Sequence, residues 1–503
     1  MTEQSGRIER MVVIGRDAQL WISALALYRA LGPGGVRITV LEMSSLLLDS
    51  DVIAVVPSIV DLHRLLGIDD NRVLHACNGV PMVAERYANW GRSASTFMSG
   101  YDPVSGTERD FSFVNYWVKA RALGLRVDYE DFSPAAAAAK QSRVPASSFG
   151  FEDDLTPPSY GYQLNASDYA AALKQLALKA GIECREGRLG DVICEGQRIL
   201  SVEWDEGEQI DADLFIDASG PEAALISALP GSDFESWKQW FGADRILSAS
   251  APVLTTLPAF ANVVAFRGGW VALHPLQDRT AIIGAISSRH ADREMLENLP
   301  IIANIPNIVG DVVLTPCRTG VRRSAWIGNC VAVGAAAADL EPLDSALIHF
   351  LHTGIGHLLG ELSTGADLDT ARDSYNRNVA RVAESIRDFQ LTHYRLNGRF
   401  DEAYWDEHRE AAGPPSLEAK IESFRRDGTV RLADDEPFRE TNWAAVMIGH
   451  GVIPEGQAAW VDQVPEEQHM SIMQRRLQTI AAAVNAMPTV EQFLAETRPP
   501  VSA

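Results

Sequence analysis

Apolar residues open this chain as a short run, "RMVVIG" (10–15), spread through a helical stretch between Leu20 and Leu31, and close up again as "VRITVLE" (36–42). That order predicts a β-α-β unit with buried strands and a helix packed on them. Gly15 ends the first strand, where a dinucleotide-binding turn would begin its G-x-G-x-x-G. The turn instead reads G-R-D-A-Q-L, so Asp17 and Leu20 stand in place of the second and third glycines. Glu42 ends the second strand, where an acid can accept hydrogen bonds from both ribose hydroxyls of an adenosine.

Further along, "PSIVDLHRLLGI" reads as a helix, and the aromatic-rich stretch from Tyr87 to Trp117 as hairpins. The segment "SPAAAAAKQSRVPASS" is low in complexity and reads as a surface loop or weak helix. In "NASDYAAALKQLALKAGI" a capping residue, apolar spacing near 3.6 and a glycine stop predict an amphipathic helix. The stretch "ILSVEWDEGEQIDADLFIDASG" predicts a hairpin around "DEGE", then a buried strand ending at Asp217–Gly220. The C-terminal part is mostly helical, and "ADDEP" (433–437) reads as a solvated loop.

Composition narrows the function classes. The 503 residues include 46% apolar and 22% charged side chains, ordinary for a globular protein. With 67 acidic against 44 basic groups the net charge is −23, a field that repels nucleic acid and anionic membranes. No run of ~18 apolar residues occurs, so no membrane helix is expected, and the N-terminus lacks a signal-peptide pattern. The expectation is a cytoplasmic protein. Cys77, Cys184, Cys194, Cys317 and Cys330 form no C-x-x-C pair, which predicts reduced, mostly buried thiols. His349 and His352 lie one helical turn apart and His357 follows. No carboxylate or cysteine completes a metal set around them.

Longer blocks carry a resemblance. "YGYQLNASDYAAAL" (160–173), "ADLFIDASG" (212–220), "NCVAVGAAAADLEPLDS" (329–345), "YNRNVARVAESIRDFQLTHY" and "NWAAVMIGHGVIP" resemble the flavin-dependent tryptophan halogenases over nearly the whole chain. The resemblance implies the α/β flavin monooxygenase-type fold. Its expected parts are a Rossmann-like module with an interleaved β-rich substrate layer (1–348) and a mainly helical module (349–503). It also implies FAD as cofactor. Family members are bacterial enzymes that make hypohalous acid from reduced FAD, oxygen and halide. A lysine and a glutamate then direct that acid onto an indole.

Carried over residue by residue, the family pattern meets departures. The lysine block "ATNATFKLGIRFVDW" aligns on "ACNGVPMVAERYANW" through Asn78, Arg86 and Trp90, which puts Met82 at the lysine. A thioether has no charge and no N–H donor, and hypohalous acid would oxidise it. Arg86 is the only basic residue close by in sequence. The glutamate of "LEPLES" is Asp344, short by about one C–C bond, ~1.5 Å, where catalytic geometry tolerates about 0.5 Å. The halide turn after it reads Ser345-Ala346-Leu347-Ile348. On the flavin side Gly15, Glu42, Asp217–Gly220 and Gly334 persist, whereas the "GEAT" turn has become Val52-Ile53-Ala54-Val55. Ala338 and Asp339 replace a glycine and a phenylalanine. The tunnel motif W-x-W-x-I-P keeps Trp270 and Pro275 but has His274 in place of its isoleucine.

An Asp17 carboxylate ~4 Å from a phosphate would cost about 4 kcal/mol at an effective dielectric near 20, or a factor of about 10²–10³ in affinity. Arg16 could offset part of that by turning inward. These departures imply a halogenase-like protein with eroded flavin, lysine and halide motifs, in which FAD binding is weak or lost. Such a protein could bind a small aromatic ligand, form a homodimer or pair with an active paralogue. The alternative is a working FAD-dependent halogenase or monooxygenase acting on tryptophan or an indole-like substrate. Trp90, Trp117, Trp443 and Trp460 could sandwich such a ligand, but core packing is the plainer expectation for each.

Overall fold

The computed structural model describes residues 8–91, 95–102, 113–145, 158–363, 367–434 and 436–499. Two compact units interleave along the chain. The first comprises Met1–Cys77, Leu164–Lys238 and Arg318–Glu384, and the second Asn78–Gln163, Gln239–Cys317 and Ser385–Ala503. The division expected between 348 and 349 falls inside the helix Leu347–Ser363, which packs on the opening helix of the first unit instead of starting a new module.

In the first unit, β1 (Arg10–Gly15), α1 (Asp17–Leu31) and β2 (Arg37–Glu42) form the predicted β-α-β. β1 and β2 join a six-stranded sheet ordered Trp326–Ile327, Cys330–Ala332, Leu214–Ala218, β1, β2, Glu183–Glu186. Five neighbouring strands of that sheet, from Cys330–Ala332 to Glu183–Glu186, run parallel, so their C-terminal ends open on one edge. That edge is where such sheets place ligands. α1 is buried on most sides, from Leu20 to Leu27, as befits a helix clamped between a sheet and other helices. The helix Ala166–Lys179 follows its predicted Asn165 cap, whose side chain accepts from Asp168 N–H.

The second unit is built on a seven-stranded sheet ordered Val309–Pro316, Arg245–Pro252, Arg279–Ile286, Gly269–Pro275, Phe260–Phe266, Ala84–Ala88, Thr96–Gly100. Side chains alternate across a sheet, and the register sorts them. Arg86, Asn262, Leu273 and Ile282 share one face, while Tyr87, Val263, Ala272 and Ile283 share the other. The first face carries a core of Leu247, Ala249, Val264, Val271, Leu273 and Ile282.

Several local expectations need correction. Trp117 belongs to the helix Phe113–Ala122 and not to a hairpin; residues 103–112 lie outside the described set. The alanine run is a helix, Pro134–Lys140, with Ala135, Ala136, Ala138 and Ala139 fully buried. Small side chains let it approach the strand Thr96–Gly100 so closely that a Cβ on Gly100 would lie 2.8 Å from Ala135 Cβ. Residues 146–148 of that segment are likewise outside the described set. Within "ADDEP", Glu436 is buried and binds Lys420 at 2.6 Å and the Trp443 indole N–H. All five cysteines are free thiols, but only Cys77 and Cys330 are fully buried. Among the described residues no helix is long and apolar enough to cross a membrane.

Gly15 has a steric reason to persist. A Cβ there would lie 2.1 Å from the Ala218 carbonyl oxygen on the neighbouring strand. Gly15→Ala should therefore lower unfolding stability by about 1–3 kcal/mol, read as a shift in the urea midpoint.

Candidate functional site

On the first unit, the parallel strands end in turns that carry most of the predicted cofactor residues. Asp17 opens α1 with φ +58°, the left-handed conformation that a glycine would adopt freely. The turn thus keeps the shape of a dinucleotide-binding loop although its second glycine is gone. Leu20, in place of the third glycine, is wholly buried. The side chain that reaches across the strand ends is its neighbour Gln19. Its Nε2 donates to Val333 O at 3.0 Å, and its Oε1 accepts from Ala335 N–H at 3.1 Å. Both partners flank Gly334, which has φ +54° and no room for a Cβ: one would lie 2.7 Å from Gln19 Oε1. Sequence reasoning passed over Gln19, because the fingerprint leaves that position unspecified.

Arg16 does not turn toward Asp17. It donates to Glu222 at 3.0 Å, linking the turn after β1 to the one after Leu214–Ala218, and its other nitrogen approaches Met43 Sδ. Glu42 already has partners for both oxygens: Trp21 Nε1 donates to one at 3.3 Å and Lys174 Nζ to the other at 2.6 Å. Lys174 comes from the helix Ala166–Lys179 and could not have been paired with Glu42 from sequence distance. The retained Asp217 is a turn builder. Fully buried, it accepts from Ser219 N and Oγ and from the backbone of Leu225 and Ile226. Arg322, also buried, holds the Gly334 turn through Ala336 O at 2.9 Å.

Beyond that turn, Asp339 sits in a partly buried setting where desolvation pushes its carboxyl up to about 7 against the opposing pull of Arg318. Asp344 and Ser345 are both buried and both left-handed, with φ +60° and +53°. Two successive non-glycine residues in that region store backbone strain of the kind concentrated at binding turns. The helix Leu347–Ser363 starts directly after them.

On the second unit, Met82 is fully buried in the strand Val80–Met82, opposite Gly161. Arg86 donates to Asn262 at 3.3 Å on the aliphatic face of the large sheet, the opposite face from Trp270 and His274. It therefore offers no cation to the side that bears the tunnel motif. On that side Trp270 donates to Tyr394 OH at 3.0 Å, and His274 Nδ1 lies 3.0 Å from Gln163 Oε1. Because an amide oxygen only accepts, Nδ1 carries the proton. Burial pushes the His274 imidazole down to about 4, so the ring is neutral at physiological pH. Glu85, buried and bonded to Tyr87 OH at 2.8 Å, lies on the same face and was not anticipated. Pro275 ends its strand on the other face. Trp90, Trp117 and Trp443 are fully buried, as core packing requires, whereas Trp460 is half-exposed.

The sequence profile of the tryptophan halogenases matches residues 10–466. A tryptophan 7-halogenase of Kutzneria sp. (strain 744) is 25% identical over 97% of this chain and 98% of its own length. Another, from Lentzea aerocolonigenes, is 24% identical over 92% and 93%. Among solved structures, a flavin-dependent halogenase from Xanthomonas campestris superposes with a TM-score of 0.91 at 28% identity, over 99% of this chain and 100% of that one. A flavin-dependent halogenase from Brevundimonas sp. BAL3 gives 0.90 at 27%, over 98% and 100%.

Two outcomes follow from this geometry. Since Arg16 is engaged elsewhere, Asp17→Gly should raise FAD affinity by about a hundredfold while changing stability by no more than about 1 kcal/mol; calorimetric titration and urea melts read both. Folding lowers the His274 pKa, so the unfolded chain binds its proton first and stability is lost as pH falls from ~6.5 toward ~4. In His274→Gln that loss should shrink by up to about 3 kcal/mol, measured as urea midpoints at the two pH values. His393 and His450, also pushed down by burial, titrate in both proteins and cancel in the difference.

Proposed function

This chain belongs to the tryptophan halogenase family, and we propose that within it the protein is a divergent member that does not carry out standard flavin-dependent halogenation and binds FAD weakly or not at all. The observation that carries this reading is Met82, a fully buried thioether at the position aligned with the family lysine, with Arg86 on the far face of the sheet. A thioether has no N–H to donate to hypohalous acid and no amine to capture it, and is instead oxidised by it. The flavin side supports the same reading. A carboxylate stands in the phosphate turn, both oxygens of Glu42 are engaged, and Gln19 fills the cradle beside Gly334. As placed, these residues do not fit a flavin dinucleotide, and no chemical step is assigned through one.

What the fold retains is suited to holding a ligand or a partner. The neutral His274–Gln163 pair and the Trp270 face suit a small, uncharged aromatic molecule, while pairing with a second copy or an active paralogue is the other role we assign to such a scaffold. FAD titration and assay decide the main point. The purified protein should lack a visible flavin band, and with reduced FAD, halide and tryptophan it should yield no halogenated product. Tight flavin binding, or a chlorinated or brominated indole from the wild type, sinks the proposal. Met82→Lys with Asp344→Glu should stay inactive unless the Asp17 turn is also made to bind flavin.

A further inference from the structure

We infer that Gln19 is an internal occupant of the nucleotide crevice, a residue that decides whether the crevice accepts a dinucleotide at all; the inference rests on the weak-flavin reading above and assigns its cause. The turns after β1, after Leu214–Ala218 and after Cys330–Ala332 lie side by side because their strands pair in parallel. Ligands of open parallel sheets enter between such turns and are held by backbone N–H groups. Here the chain's own side chains cross between them. Gln19 spans from α1 to the last turn, satisfying Ala335 N–H with its oxygen and Val333 C=O with its nitrogen. Arg16 spans from the turn after β1 to Glu222 in the turn after Leu214–Ala218.

A side-chain amide carries one acceptor and two donors, so Gln19 supplies the Gly334 turn with the same kind of partners that a polar ligand would bring. Its oxygen lies 2.7 Å from where a Cβ of residue 334 would be, so the space beside the only glycine of that turn is crowded by the amide. A ligand threading between these turns has to displace two hydrogen bonds and then re-satisfy both backbone groups. Asp17 acts on charge, whereas Gln19 acts on space and on hydrogen-bond partners, so the two make separable contributions.

The test is FAD and ADP titration of the wild type, Gln19→Ala and Gln19→Glu, each checked for folding by circular dichroism and thermal melting. Gln19→Ala should bind FAD about tenfold more tightly than the wild type, with a lower melting temperature because two buried-side hydrogen bonds are lost. Gln19→Glu keeps the bulk and adds a negative charge, and it should show no gain. If Gln19→Ala does not fold, Gln19→Ser is measured in its place with the same expectation. A weakly binding wild type whose folded Gln19→Ala or Gln19→Ser binds no better overturns the assignment to Gln19 and leaves the proposed function standing. A wild type that binds FAD tightly overturns the proposed function itself.

Discussion

The parallel pairing of β1 with Leu214–Ala218 leaves no room for a side chain at residue 15, and the first unit is arranged around that close approach. A Cβ would sit 2.1 Å from a backbone oxygen that cannot move without breaking the sheet. The strand must therefore end in glycine, the chain must turn at once, and α1 must start against the sheet with Leu20 and Trp21 buried. None of these requirements involves a cofactor. A first glycine can persist for packing alone while the rest of the fingerprint changes. Asp217 persists for a comparable reason, since four donors on one buried carboxylate build the turn that follows it.

The N-terminus of α1 still has its dipole and its unpaired N–H groups, which favour negative charge. In this protein an acidic residue of its own first turn, Asp17, provides that charge, and Gln19 provides hydrogen bonds to the neighbouring turn. The left-handed backbone at Asp17 shows that this turn keeps its shape with an aspartate where a glycine would adopt it without strain.

On the second unit the decisive constraint is alternation across the seven-stranded sheet. Arg86 is four positions from Met82 in sequence and basic, but register assigns it to the aliphatic face beside Asn262. Tyr87, Trp270 and His274 take the other face. There the polar groups are neutral or tied to one another, as in the Gln163–His274 pair and the Glu85–Tyr87 contact.

Much was legible in the chain itself. β1, α1, β2, the capped helix at Ala166–Lys179 and the hairpin around "DEGE" follow from apolar spacing and turn residues, which are local properties. The family also followed from linear blocks, because the residues that hold a fold recur in order. The helix of buried alanines was not legible, since alanine has no pattern of its own and only the strand beside it shows that small size is the point. Glu436, expected in a solvated loop, is buried instead, because a charged residue's setting depends on what reaches it from distant sequence, here Lys420 and Trp443. The chain alone determined which side chains stand at 17, 82 and 344, because side-chain identity is a local fact. Only the tertiary structure decided which groups meet around the strand ends, with Gln19 bridging to Val333 and Ala335, Lys174 on Glu42 and Arg16 on Glu222, because those partners meet through sheet order and not through proximity along the chain.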